Sequence, residues 1–239
     1  MKARIKFRKY SVMRFIGHLD VMRFFQKAMR RARIPIAFTE GYSPHMIMSF
    51  AQPLGVGVTS DGEYLDIELK EEIAANEAVI RLNEVMVEGL EVVNFVRIPD
   101  DKKSSGMTLV AAASYRVTLL ESAKSAEITR ELPDSWQSKI EAFQKQETIV
   151  VLKKTKRSEA EVDIKPMIYQ MHKETNSIYL FLAAGSEQNL KPDLVMEAFT
   201  EFIGEKKESV PFHYHRLEVY ARQSKESLDF VPLDQLKLP

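Results

Sequence analysis

The order of apolar periodicities in the first hundred residues limits the possible folds more than any other feature of this chain. Residues 3–10 alternate, with Ile5 and Phe7 on one side and Arg4, Lys6 and Arg8 on the other. That is the two-residue period of a half-buried strand. Val21, Phe25, Ala28, Met29 and Ala32 then recur at i, i+4, i+7, i+8 and i+11, one apolar face of a helix over residues 18–33. Asp20 stands in its first turn, where a carboxylate suits the exposed N–H groups. Pro35 cannot continue the helix and biases Ile34 away from helical angles. Residues 34–38 and 46–51 are short strand-like runs around a turn. Residues 64–69 alternate again, Leu65, Ile67 and Leu69 against Tyr64, Asp66 and Glu68. A second helix is expected over 71–88 and a strand over 90–98. The resulting order, β-α-β-β-α-β, predicts a ferredoxin-like domain.

Residues 99–106, Pro-Asp-Asp-Lys-Lys-Ser-Ser-Gly, form a polar break. Beyond it the order repeats. Strands are expected at 115–120, 148–153, 177–183 and 212–221, and helical stretches at 126–131 and 135–144. A clear helical face follows Pro192 through Leu194, Val195, Ala198, Phe199 and Phe202. Residues 161–173, with Pro166 inside, fit neither period. The expectation is an α+β protein of two tandem ferredoxin-like domains, with mixed or antiparallel sheets and helices on one face. Their bounds are 1–99 and 113–222, with a linker at 100–112 and a polar tail at 223–239.

Composition narrows the chemistry. The 239 residues contain no cysteine. That removes disulfides, cysteine nucleophiles, Cys-ligated zinc and cysteine-held iron–sulfur clusters. No leader-like start and no apolar run of membrane length is visible, so a cytoplasmic protein without membrane association is expected. Net charge is zero but unevenly spread. Residues 1–50 hold eleven Lys and Arg against two acids, a local charge of +9 that the remainder balances with −9. Such asymmetry marks a phosphate or nucleic-acid surface, or a basic half packed on an acidic one.

Candidate site residues gather between positions 14 and 66. Arg23, Lys27 and Arg30 lie at i, i+4 and i+7, and Arg31 and Arg33 extend the cationic surface. Like charges at this spacing repel by roughly 0.2–0.5 kcal/mol per pair. A helix that accepts them repeatedly implies an external anion or acids brought in by the fold. The turn Gly41-Tyr42-Ser43-Pro44-His45 then presents an aromatic ring beside a histidine. His18, Asp20 and His45 are candidates for an acid–base group. Asp66 and Glu68 share a strand face and can pair with the basic helix or chelate a cation. His213 and His215 have i, i+2 metal spacing, with no third ligand nearby in sequence. Lys153, Lys154, Lys156 and Arg157 form a second basic run. The segment Gly55-Val56-Gly57 lacks the ending of a phosphate loop.

Gly17-His18-Leu19-Asp20, Arg30-Arg31-Ala32, Gly41-Tyr42-Ser43-Pro44-His45, Ser49-Phe50-Ala51, Pro53-Leu54-Gly55-Val56-Gly57 and Gly62-Glu63-Tyr64-Leu65-Asp66 together resemble the radical-SAM-linked protein family. That is a bacterial domain of unknown function, found alone or fused C-terminal to radical-SAM domains. The resemblance covers roughly residues 1–100, and Asp163-Ile164-Lys165-Pro166 fits a later motif. Usual members carry Asn at Ser43 and Pro at Met46. The resemblance implies partnership with a radical-SAM enzyme and a setting in RNA metabolism, with no established reaction. No cofactor is expected, since the chain lacks the cysteines that would hold a cluster and is not itself the radical enzyme. Three roles are therefore expected in this order. The first is an RNA-binding module for tRNA or rRNA, using Arg14, Arg23, Lys27, Arg30 and Arg31 on phosphates and Tyr42 on a base. The second is a protein–protein adaptor for the radical-SAM partner. The third is a metal-independent RNA-processing or RNA-modifying enzyme built on His18, Asp20 and His45.

Overall fold

A computed structural model describes residues 1–122, 128–154, 159–205, 210–224 and 228–237, with 153 and 154 described by backbone alone. The fold is mixed α+β, and strands outweigh helices. The chain divides into two compact units, Met1–Ala112 with Arg216–Pro239, and Ala113–His215.

The first unit runs β1 (Lys2–Lys9), α1 (His18–Arg31), β2 (Met48–Phe50), β3 (Thr59–Glu68), α2 (Ala75–Asn83) and β4 (Leu90–Ile98). A short helix α3 (Gly106–Leu109) leads into β5 (Val110–Leu119). β1 is central, antiparallel to β3 on one side and to β4 on the other. β2 pairs with β3 antiparallel. Ala3, Ile5 and Phe7 of β1, with Leu65 and Ile67 of β3, face Val21, Phe25 and Met29 of α1 and Ala78 and Leu82 of α2 in one buried cluster. The rings of Phe7 and Phe25 meet at 4.8 Å. α2 is shorter than the apolar pattern suggests. Residues 84–88 turn instead toward Gly89, whose φ is 90° and where a Cβ would sit 2.6 Å from the Tyr10 carbonyl oxygen. Only glycine fits both demands.

The second unit contains α4 (Trp136–Gln144), a separate hairpin of β6 (Val150–Lys154) and β7 (Glu159–Asp163), then β8 (Ile168–Lys173), β9 (Ile178–Ala183), α5 (Pro192–Phe202) and the start of β10 (Phe212–Arg222). Its sheet order is β8-β9-β5. β10 begins beside the end of β5, where Leu120 N–H donates to the Pro211 carbonyl at 2.8 Å. Trp136 and Phe143 each pack edge-on against Phe199, at 5.4 and 5.6 Å. Residues 128–131 carry no helix, because Thr129 bridges to Leu120 instead. The remainder of that expected helix lies outside the described residues. The unassigned segment resolves into β7, a single 3-10 turn at Lys165–Met167, and β8. Asp163 holds the junction, its carboxylate accepting from the N–H groups of Ile149 and Lys165 at 2.9 and 3.0 Å.

The end of the chain returns to the first unit. β10 lies beside β3, and β11 (Phe230–Pro232) pairs antiparallel with β10. Leu233 is buried next to it. Among the described residues, no helix is long and apolar enough to cross a membrane.

Candidate nucleic-acid interface

Alternation on β1 sends its cations to two places. Arg4 is fully buried on the sheet face away from α1 and α2. It forks onto Asp66, directly opposite on β3, at 2.7 and 3.0 Å, and donates to the Ser104 and Leu233 carbonyls. Gly106 N–H supplies a further bond to the Asp66 carboxylate at 2.6 Å. Lys6 pairs with Glu218 at 2.5 Å. The Tyr64 hydroxyl shares its one proton between Glu218 and Asp234, each 2.7 Å away. Burial and these two carboxylates push the Tyr64 phenol far above its usual range. Burial pushes Asp234 up, but bonds from Asn94 and Tyr64 and the Lys6 ammonium outweigh it, so its carboxyl titrates below the ordinary value. Sequence alone allows Asp66 to pair with the basic helix or chelate a cation. It pairs with a strand arginine instead.

On the opposite face, Lys9 follows Phe7 toward α1. A small pocket there is walled by Phe7, Val21, Phe50, Pro53 and Leu54, with Lys9, Glu63 and His18 completing it. Lys9 is only 2% exposed, and its ammonium donates to the Ile16 carbonyl at 2.8 Å. Burial lowers the Lys9 pKa, Glu63 opposes the shift, and Arg216 adds to it. Glu63 is clamped by the buried Arg216, which also donates to the Gln52 carbonyl at 2.6 Å. His18 stands edge-on to Phe50 at 4.9 Å. Sequence reasoning missed Lys9, Glu63 and Arg216 as a group. The alternation Phe7–Lys9 was the available signal, while Arg216 lies over 150 residues from its partner (separation 153).

The exterior of α1 differs. Gly17 is its N-cap, in extended conformation and without a side-chain cap. Val21, Phe25, Ala28 and Met29 are buried, while Arg23, Lys27, Arg30 and Arg31 are exposed. Arg23 pairs with Asp20 at 3.1 Å, both well exposed. Among the described residues, Lys27, Arg30, Arg31 and Arg33 make no salt bridge. Arg14 stands apart from this stripe, buried, with its guanidinium 4.7 Å from the Phe15 ring centre.

The end of α1 is a complete Schellman motif. Ile34 N–H donates to the Met29 carbonyl at 3.0 Å and Arg33 N–H to the Arg30 carbonyl at 3.2 Å. The left-handed position is Arg33, at φ 51°. Glycine usually takes this place, and a side chain there costs about 1–2 kcal/mol.

A hairpin rises next. Ile47 N–H bonds to the Ala37 carbonyl, Thr39 N–H to the His45 carbonyl, and Phe38 bridges to Met46. Gly41, at φ 106°, turns the tip. Tyr42 is fully exposed there. His45 is also exposed, and its Nδ1 lies 3.1 Å from Thr39 Oγ1 and 3.4 Å from the Ser43 carbonyl. Among the described residues, no hydrogen bond or ion pair joins His18, Asp20 and His45. His18 belongs to the Phe50 pocket, Asp20 to Arg23, and His45 to its own turn. No group of three His, Asp or Glu among the described residues is placed to hold a metal ion, His213 and His215 included. The side chains of the run at Lys153, Lys154, Lys156 and Arg157 lie outside the described residues.

Residues 2–192 match the family described as an uncharacterised protein conserved in bacteria, DUF2344, and the chain belongs to that family. No curated protein matches the chain.

Proposed function

We propose that the first unit is an RNA-binding module, presenting a tRNA or rRNA to a separate radical-SAM enzyme. The observation that carries this reading is the cationic exterior of α1 and the turn after it: Lys27, Arg30, Arg31 and Arg33 are exposed and have no acidic partner among the described residues. A sheet that neutralises Arg4, Lys6 and Arg216 so fully leaves these four for an outside anion, and a phosphate backbone offers the closely spaced negative charges that a row of cations binds. The exposed Tyr42 ring adds a surface on which a base can stack. The motif residues from Gly17 to Asp66 support the radical-SAM partnership. The sheet orders support a ferredoxin-like reading of each unit, with β6 and β7 inserted in the second. Binding is favoured over catalysis because His18, Asp20 and His45 sit in three separate settings.

The test is binding of total cellular RNA at two salt concentrations by the wild type and a Lys27→Ala/Arg31→Ala variant. The expected outcome is salt-sensitive binding that the variant weakens about tenfold, with the salt slope reduced by about two. Absence of RNA binding would overturn the reading. Nuclease-resistant capture of the radical-SAM enzyme without RNA affinity would make the protein an adaptor.

A further inference from the structure

We infer that the groove at the C-terminal end of α1 holds one unpaired nucleotide of single-stranded RNA. The inference rests on the RNA reading above and names the form of nucleic acid that this site takes. Three cations rim the groove, Arg30, Arg33 and Lys70, and Pro35, Ile36, Phe38 and Met46 supply apolar walls. All three cations are exposed, and none makes a salt bridge among the described residues. Among the described residues, Glu71 is the one acid lining the groove, which leaves a net charge that attracts an anion despite the negative end of the helix dipole. The Lys70 ammonium already lies over the Phe38 ring, 5.2 Å from its centre. Cation and aromatic are therefore adjacent, as a phosphate and its base require.

A duplex offers this groove only phosphates, because its base faces are stacked away. A single strand offers a phosphate for the rim and a base face for the apolar floor. The Schellman position supplies an independent argument. Arg33 occupies a left-handed site where glycine would be unstrained, and its side chain lines the groove. A strained residue that serves the fold less well than glycine points to a use outside the fold. The floor beneath it is fixed by backbone bonds, Lys70 N–H to the Pro35 carbonyl and Ala37 N–H to the Glu68 carbonyl, at 2.8 and 2.7 Å. The site is therefore formed before the strand arrives.

The experiment compares fluorescence anisotropy of a short labelled single-stranded RNA with that of the same strand in a duplex, for the wild type and Arg33→Gly. The variant should lose about tenfold in affinity for the single strand and stay within about twofold for the duplex. Its Tm should hold or rise by about 2 °C, since glycine relieves the left-handed strain. An Arg33→Gly protein that binds the single strand like the wild type overturns the inference. So does an equal loss for both ligands, which would reduce Arg33 to a backbone contact and leave the RNA reading standing. A wild type that binds neither ligand removes the RNA reading itself.

Discussion

Two sets of cations in the first unit come from neighbouring stretches of sequence and have opposite fates. Three of those on β1 are paired by acids that arrive from far along the chain: Arg4 by Asp66, Lys6 by Glu218, and Arg8 by Glu91. Those of α1 and the turn after it, from Lys27 to Arg33, remain exposed without such partners among the described residues. The difference is one of secondary structure. A strand in mid-sheet has neighbours on both sides whose residues stand directly opposite, so a carboxylate can be supplied at a fixed register. A helix packed by one face has no such neighbour on the other. The +9 charge of the first fifty residues is thus two quantities, one internal to the fold and one presented to the outside.

The largest effect is expected from Asp66→Ala. Arg4 would stay buried with only carbonyl partners, and Gly106 N–H would lose its acceptor. Removing one partner of a buried pair costs about 3–5 kcal/mol. Urea denaturation should show a loss of that size. A loss under about 1 kcal/mol would mean the strand cations are no better used by the fold than the helical ones.

Much of this contrast was legible in the sequence, and the missing part has a physical cause. The alternation on β1 separated Arg4, Lys6 and Arg8 from Ile5 and Phe7, and the 3.6-residue period gave the buried face of α1 residue for residue. Alternation over residues 64–69 also puts Tyr64 and Asp66 on a common strand face. Sequence could not supply their partners, because Lys6–Glu218 and Arg216–Glu63 join residues 212 and 153 positions apart. No local periodicity encodes such a distance. For the same reason the polar tail, whose sequence leaves docking open, gives no hint of where it docks, and Leu233 and Asp234 return to β1 and β3. The Arg33 strain was invisible because the run Arg30-Arg31-Ala32-Arg33 reads as more helix. The chain leaves the helical path at Arg33 because Ile34 turns back onto Met29.

A smaller effect is expected at Lys9, a strand cation whose neutralisation is incomplete. Its ammonium has the Ile16 carbonyl as acceptor, while Glu63 is already clamped by Arg216. Burial therefore lowers its pKa below the ordinary 10.5. Between the lowered value and 10.5 the unfolded chain binds more protons than the folded one, so folding stability rises with pH in that window. Measured against Lys9→Met by urea midpoints at successive alkaline pH values, the wild type should gain stability as pH rises toward 10.5. Parallel curves for the two proteins would place Lys9 among the fully compensated cations.

The smallest effect belongs to the helix exterior, and its sign is what matters. Lys27 faces Arg23 and Arg31 at i−4 and i+4 and Arg30 at i+3. Each like-charge pair at i,i+4 opposes the helix by roughly 0.2–0.5 kcal/mol. Alanine is also the better helix former. Lys27→Ala relieves two such pairs and should therefore raise stability by about 0.4–1 kcal/mol. Added salt should narrow that gain, because it screens the repulsion in the wild type. A paired strand cation such as Arg4 behaves the opposite way, losing stability on removal because Asp66 would be left buried without its partner. If Lys27→Ala instead lowered stability by more than about 1 kcal/mol, the helix cation would have a partner within the fold. The phosphate role assigned to it would then lose its main support.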